Sequence, residues 1–249
     1  GDPGAPAVLM AHSILSSHMM WRGQARLLAA QGWQVLCADT RGHGGSEAPA
    51  GPYTMDQLAA DSVAVLDGLG IAKAHYVGLS LGGMSGFGVA LNHTDRLLSL
   101  VVCDARADMP AAAGAVWNDR IDLALAQKSC AGLAASTLER WFGAAFVAAN
   151  PSTMEEFTRT IGATSPEGFA GCARAIQGLD YLPRCGRIAV PATFIVGAND
   201  GPLPQALRDL TSVMKHARLE VIADAGHLPN IDQPQAFDDA LLRHLANFR

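Results

Sequence analysis

A serine hydroxyl becomes a useful nucleophile at neutral pH only when a base takes its proton and a rigid backbone presents it. Ser80 sits at the centre of Gly78-Leu79-Ser80-Leu81-Gly82, a G-x-S-x-G pattern. An apolar run precedes it and a helical run follows, which fits a sharp strand-to-helix turn with the serine at its tip. The glycines fit the same reading, because a strained serine backbone needs neighbours without bulk. A helix starting here also aims unpaired N–H groups and its positive end at the reacting atoms. The plain alternative is a small residue in a glycine turn.

Such a serine needs a histidine base held by an acid, and in turns of this type the chain order is serine, acid, histidine. Four histidines follow Ser80: His93, His216, His227 and His244. His227 lies in Asp224-Ala225-Gly226-His227-Leu228-Pro229-Asn230, a loop directly after a strand-like run, so it is placed at the same sheet edge as Ser80. His216 and His244 fall in or beside helices and read as surface residues, and His93 as a cap or solvent residue. Two acids compete. Asp200 ends Gly197-Ala198-Asn199-Asp200 just past a strand, and Asp104 ends the strand at 98–103. Asp200 is favoured because its loop reads as a turn built to present one carboxylate. It could equally be a plain turn former. His43, in a Gly-rich loop, reads as a structural histidine bonded to backbone.

The elements that must position these groups alternate. Strand-like runs occupy 8–11, 35–38, 76–77, 98–103, 193–196 and 219–222. Helical text covers 18–30, 84–91, 204–215 and 234–248, and Thr54 with Gln57 forms a capping-box pattern opening another helix. This order predicts an α/β protein with a mostly parallel sheet flanked by helices. Between 111 and about 180 the alternation stops and only Ala-rich helical text remains. It reads as a helical cap over the C-terminal edge of the sheet, where ligands bind in such folds. The expected division is a first core part at 1–108, a cap at 109–185 and a second core part at 186–249.

Composition bounds the rest. The 249 residues are 49% hydrophobic and 16% charged, with a net charge of −5. A large core is therefore possible. No Lys/Arg stripe suggests nucleic acid, and no apolar run reaches membrane-spanning length. Five cysteines at wide spacings, with no CxxC pair, read as reduced thiols in a cytoplasm. No signal peptide is visible.

The segments 8–13, 39–46, the Ser80 turn, 197–200 and Gly226-His227 together resemble the α/β-hydrolase superfamily. Further text is similar to the 3-oxoadipate enol-lactonases: 18–21, 51–54, 78–83, 116–121, 139–142, 168–172 and 229–234. The resemblance implies a triad of Ser80, Asp200 and His227, with the backbone N–H groups of Ile14 and Leu81 as oxyanion hole. It places Arg140, Trp141 and Trp117 of the cap at the pocket, where an arginine suits a carboxylate-bearing substrate. It implies a small ester or lactone as partner, no metal and no organic cofactor. The sequence departs from that pattern in three ways. The strand pair that precedes position 8 in such lactonases is expected to be absent, His12 replaces a polar amide, and Arg106-Ala107-Asp108-Met109 stands where a lysine-bearing run is usual. The competing readings are a broad carboxylesterase, a carbon–carbon bond hydrolase, and a non-enzymatic ligand receptor on the same fold.

Overall fold

The computed structural model describes residues 1–248. Six strands form one sheet in the order β2-β1-β3-β4-β5-β6: β1 (Ala7–Ala11), β2 (Gln34–Ala38), β3 (Ala74–Leu79), β4 (Leu97–Cys103), β5 (Ala192–Gly197) and β6 (Ala217–Ile222). Every neighbouring pair is parallel. The expected mostly parallel sheet is thus wholly parallel among the described residues, and no strand precedes β1 there. β2 forms one edge and is half-buried throughout, whereas β3 and β5 are buried along their whole length. Continuous apolar text is what central strands covered on both faces require.

Helices α1 (Arg22–Ala30), α2 (Met55–Gly68) and α3 (Leu81–Asn92) cross between the first four strands. The capping box that opens α2 is complete: Thr54 Oγ1 accepts from the Gln57 N–H, and the Gln57 side chain accepts from the Thr54 N–H. Helices α4 (Ala111–Gln127), α5 (Ala134–Ala149), α6 (Pro151–Ala163) and α7 (Pro166–Gln177) all lie between β4 and β5. The two ends of this helical insertion are tied together. Asp108 and Asp180 form an antiparallel bridge, Met109 N–H donates to Leu179 O, and Tyr181 N–H donates to Ala107 O. Helix α8 (Leu203–Val213) then leads to β6, and a short turn α9 (Pro229–Asp232) precedes α10 (Pro234–Leu245). None of the described helices is long and apolar enough to cross a membrane.

The expected helix over 18–30 starts as a 3-10 turn, His18–Trp21, before α1. His244 is not a surface residue. It is buried in α10, where its ring nitrogens contact Thr193 Oγ1 at 2.8 Å and Ser99 Oγ at 2.8 Å. His75 Nδ1 reaches the same Ser99 hydroxyl at 2.7 Å. A helix packed on the sheet buries one face entirely, and a polar residue there must find partners. His216 is exposed, as expected.

Candidate active site

Ser80 joins β3 to α3 with φ 55° and ψ −116°. That region is costly for a residue with a side chain, by about 1–3 kcal/mol, and the surroundings enforce it. The Ser80 N–H donates to Cys103 O on β4, and Ser80 O accepts from Met84 N–H. The flanking glycines are required by close approach. A Cβ on Gly78 would lie 2.2 Å from Gly82 O, and one on Gly82 would lie 2.2 Å from Ala11 O. The Leu81-Gly82-Gly83 stretch is therefore helical despite its glycines, and α3 begins three residues before the periodicity suggests. Tyr76 donates its hydroxyl to Gly82 O at 2.9 Å and braces the turn from below.

Asp200 follows β5 and His227 follows β6, so both stand at the C-terminal edge of the sheet beside Ser80's turn. His227 Nδ1 and Asp200 Oδ2 are 2.7 Å apart. Asp200 has no exposed surface, and burial pushes its carboxyl up. The charge and hydrogen bond of His227, then the nearby Arg140 guanidinium, outweigh that and hold it at about 2. An ionised Asp200 accepts, so Nδ1 carries the proton and Nε2 keeps its lone pair. Among the described residues neither Nε2 of His227 nor Oγ of Ser80 makes a hydrogen bond. Ser80 is 5% exposed and His227 8%.

Among the described residues neither the Ile14 nor the Leu81 backbone N–H, the two expected donors, has an acceptor. Their loops are locked to one another, because Gly82 N–H donates to His12 O. His12 is fully buried. Its Nε2 accepts from Thr40 N–H, which leaves Nδ1 to donate to Ser13 O at 2.7 Å. Burial lowers its proton affinity, so it is a neutral brace for the loop carrying Ile14. His43 is likewise neutral, pushed down to about 3 by burial first, and its Nδ1 sits 3.1 Å from Arg41 O.

The three cap residues are placed differently from one another. Arg140 on α5 does not stand free: its Nη1 lies 2.7 Å from Asp200 Oδ1. The approach is off the N–H axis, so it is a charge contact rather than an aligned hydrogen bond. Half of the guanidinium side chain stays exposed. Trp141 is buried, with its ring edge-on to Phe157, and its backbone O accepts the His227 N–H at 2.7 Å. Trp117 is half-buried on α4 between Phe169 and the Arg120 guanidinium. Arg106 spends its charge on Asp108, 2.9 Å away.

One feature escaped the sequence reading, and the competing acid Asp104 takes a place beside Asp200. Asp232 Oδ2 accepts the Gly226 N–H at 2.6 Å and fixes the turn before His227. Burial, foremost, pushes Asp232 up to about 6. Asp104 also joins the site: one of its oxygens, one of Asp200's and a His227 nitrogen all lie within 4.8 Å of one another. Burial first, then the Asp200 charge, raises the Asp104 carboxyl well above the carboxylate range. Asp104's position at the end of β4 was the only sequence signal for it. A cleft of about 330 Å³ opens beside the loops of Ile14 and His227, lined by Ser16, Met20, Phe157 and Asn230 among others.

Comparison with known proteins shows the family of the chain. A family model described as alpha/beta hydrolase fold covers residues 6–234. The chain is 33% identical over 242 residues to 3-oxoadipate enol-lactonase 2 of Acinetobacter baylyi, covering 97% of this chain and 89% of that protein. It superposes on the enol-lactonase of Burkholderia xenovorans LB400 with a TM-score of 0.92 and 34% identity, over 99% of this chain and 92% of that one. A hydrolase from Pseudomonas aeruginosa PA01 gives a TM-score of 0.93 and 33% identity, over 98% and 91% of the two chains. Turn, sheet order and sequence agree: the chain belongs to the alpha/beta hydrolase fold family.

Proposed function

We propose that this protein is a serine hydrolase that cleaves a small carboxylic ester or lactone through an acyl-enzyme, with a carboxylate-bearing enol-lactone as the favoured substrate. The observation that carries the reading is Ser80 held at φ 55° on the first turn of α3, at the sheet edge where His227 and Asp200 pair at 2.7 Å. The relatives named as enol-lactonases support the substrate class.

In this scheme Ser80 Oγ attacks the carbonyl carbon while His227 Nε2 takes its proton. Asp200 stays ionised, holds the Nδ1–H tautomer and stabilises the imidazolium. The free N–H groups of Ile14 and Leu81 receive the oxyanion, and losing one such donor typically costs about 3–4 kcal/mol of barrier. His227 then protonates the leaving oxygen, which in a lactone remains tethered to the acyl group. Water deprotonated by His227 attacks the acyl-enzyme, and Ser80 leaves with its proton restored. The steps call for no metal or organic cofactor.

Residues 109–185 serve as the cap. Arg140, with guanidinium N–H groups still exposed beyond its Asp200 contact, attracts the substrate carboxylate, and Trp141 and Trp117 belong to the cap's packing around the pocket. The five unpaired cysteines suit a reducing compartment such as the cytoplasm.

Ser80→Ala tests the scheme. It lowers kcat on p-nitrophenyl acetate and on a carboxylated enol-lactone by about a thousandfold or more, and it abolishes labelling by a fluorophosphonate. Near-normal turnover by this variant sinks the acyl-enzyme reading. Failure of the folded wild type to label favours a ligand receptor. Faster hydrolysis of simple esters or of vinylogous diketo acids than of lactones moves the assignment to a carboxylesterase or a carbon–carbon bond hydrolase.

A further inference from the structure

We propose that Asp104 is a positioning residue for the acid of the triad: its carboxyl group carries a proton at neutral pH and donates it to the Asp200 carboxylate. This rests on the proposed roles of Ser80, Asp200 and His227 and adds a fourth group to them.

The hydrogen-bond inventory of Asp104 leads there. Its backbone N–H donates to Ile195 O, extending the β4–β5 ladder by one rung. Its side chain supplies the next rung, because Oδ1 accepts the Gly197 N–H at 2.9 Å. The backbone at φ 46° turns the chain so that the side chain can do this, and aspartate is one of the few side-chain-bearing types that tolerates such a conformation. Oδ1 is thus the carbonyl-like oxygen. Oδ2 is fully buried, and no donor among the described residues reaches it. A buried carboxylate oxygen facing no donor is expensive, whereas a carboxylic O–H facing an acceptor is satisfied. The acceptor at hand is the Asp200 carboxylate, within 4.8 Å.

The charges around the pair agree. His227 and Arg140 take the two oxygens of Asp200, so Asp200 is the member of the pair that stays ionised. Asp104 makes no salt bridge among the described residues. Its charged and titratable neighbours are Asp200, Asp232, the Cys103 thiol and the His227 imidazole, a nitrogen of which lies within 4.8 Å. Two carboxylates this close in a buried site do not both ionise. A simply structural Asp104 would need only Oδ1, and would leave Oδ2 without a function.

The test combines a direct look at the proton with kinetics. Infrared difference spectra of wild type against Asp104→Asn, with carbon-13 in the aspartate carboxyls, show a protonated-carboxyl band present in wild type from pH 5 to 9 and missing in the variant. This readout does not depend on turnover, so it stands even if Ser80→Ala remains active. On p-nitrophenyl acetate, Asp104→Gly keeps the backbone conformation but removes the donor, and kcat falls about tenfold with KM within about twofold. Asp104→Asn still accepts from Gly197 and still donates to Asp200, so it restores most of that loss. Because a neutral group replaces a neutral group, the acid limb of its kcat/KM profile stays within about 0.2 pH unit of wild type. A missing infrared band, an acid limb moved to lower pH in Asp104→Asn, or an undiminished kcat in Asp104→Gly each overturns the proposal.

Discussion

Replacing Arg140 by glutamine separates two jobs that one guanidinium can do. In the structure Arg140 Nη1 and His227 Nδ1 each stand 2.7 Å from a different oxygen of Asp200. Two cations on opposite oxygens of one carboxylate are roughly 6 Å apart. At an effective dielectric of about 40, suited to a half-exposed guanidinium, their repulsion is about 1.4 kcal/mol. Solvent screening brings it to about 1 kcal/mol. Removing the Arg140 charge therefore makes the imidazolium of His227 easier to form. The acid limb of kcat/KM moves to higher pH by about 0.5–1 unit. The assay uses p-nitrophenyl acetate, whose lack of charge keeps substrate binding out of the comparison, and Arg140→Lys serves as the charge-preserving control. On a carboxylated lactone the same variant also raises KM. An acid limb that stays in place or moves to lower pH on the neutral ester refutes the coupling between Arg140 and the Asp200–His227 pair.

Two further expectations concern stability. Burial holds His75 and His244 at about 4, while the unfolded chain takes up protons from about pH 6.5 downward. The unfolded state then binds more protons, so stability is fully present above that value and falls as pH drops towards 4, by about 1–2 kcal/mol per histidine at pH 5. The urea midpoint measured at pH 7 and pH 5 reads this, and His75→Gln shrinks the difference; an equal drop in that variant would falsify it. Asp232 behaves in the opposite sense. Its folded carboxyl, raised to about 6, contributes stability below the unfolded value that is lost as pH rises through 6. Asp232→Asn keeps an acceptor for Gly226 and stabilises the fold at pH 8 by about 1 kcal/mol after screening. Thermal melts show this gain at pH 8 and only about a third of it at pH 4.5.

The order of strands and helices was legible because central parallel strands leave uninterrupted apolar text. Thr54 and Gln57 marked a helix start with a pattern that has one meaning. That Ser80, Asp200 and His227 share one edge of the sheet was legible for a related reason. Each lies on a loop just past a strand, and a parallel sheet carries all such loops to one edge. What could not be read was orientation across elements. Arg140 sits on an amphipathic helix, and its spacing says which face it shares but not that the face meets Asp200. The contact of Trp141 with His227 is made by a backbone carbonyl and has no side-chain signature. His244 was misplaced because a helical histidine beside an arginine looks solvated, and its partners Ser99 and Thr193 lie more than fifty residues upstream. The glycines at 82 and 83 pointed to a turn by propensity, yet close packing against Ala11 and Ala105 uses them inside a helix.

Helix α5 is broken at Gly143, whose φ of 76° and ψ of 155° interrupt the helical path one residue after Phe142. The contacts of α5 to Asp200 and His227, made by the Arg140 guanidinium and the Trp141 carbonyl, lie before that break. The stretch beyond it buries Met154, Phe157 and Ile161, with Phe157 packed on Trp141 and Phe142, and adds the exposed Arg22–Glu156 pair, 2.7 Å apart, of a kind that contributes little energy. The helical insertion is thus built in two pieces, one touching Asp200 and His227 directly and one packed upon the first. Exchange of the second piece, from 144 to the end of α6, is a route by which selectivity can be rewritten while proton transfer stays in register.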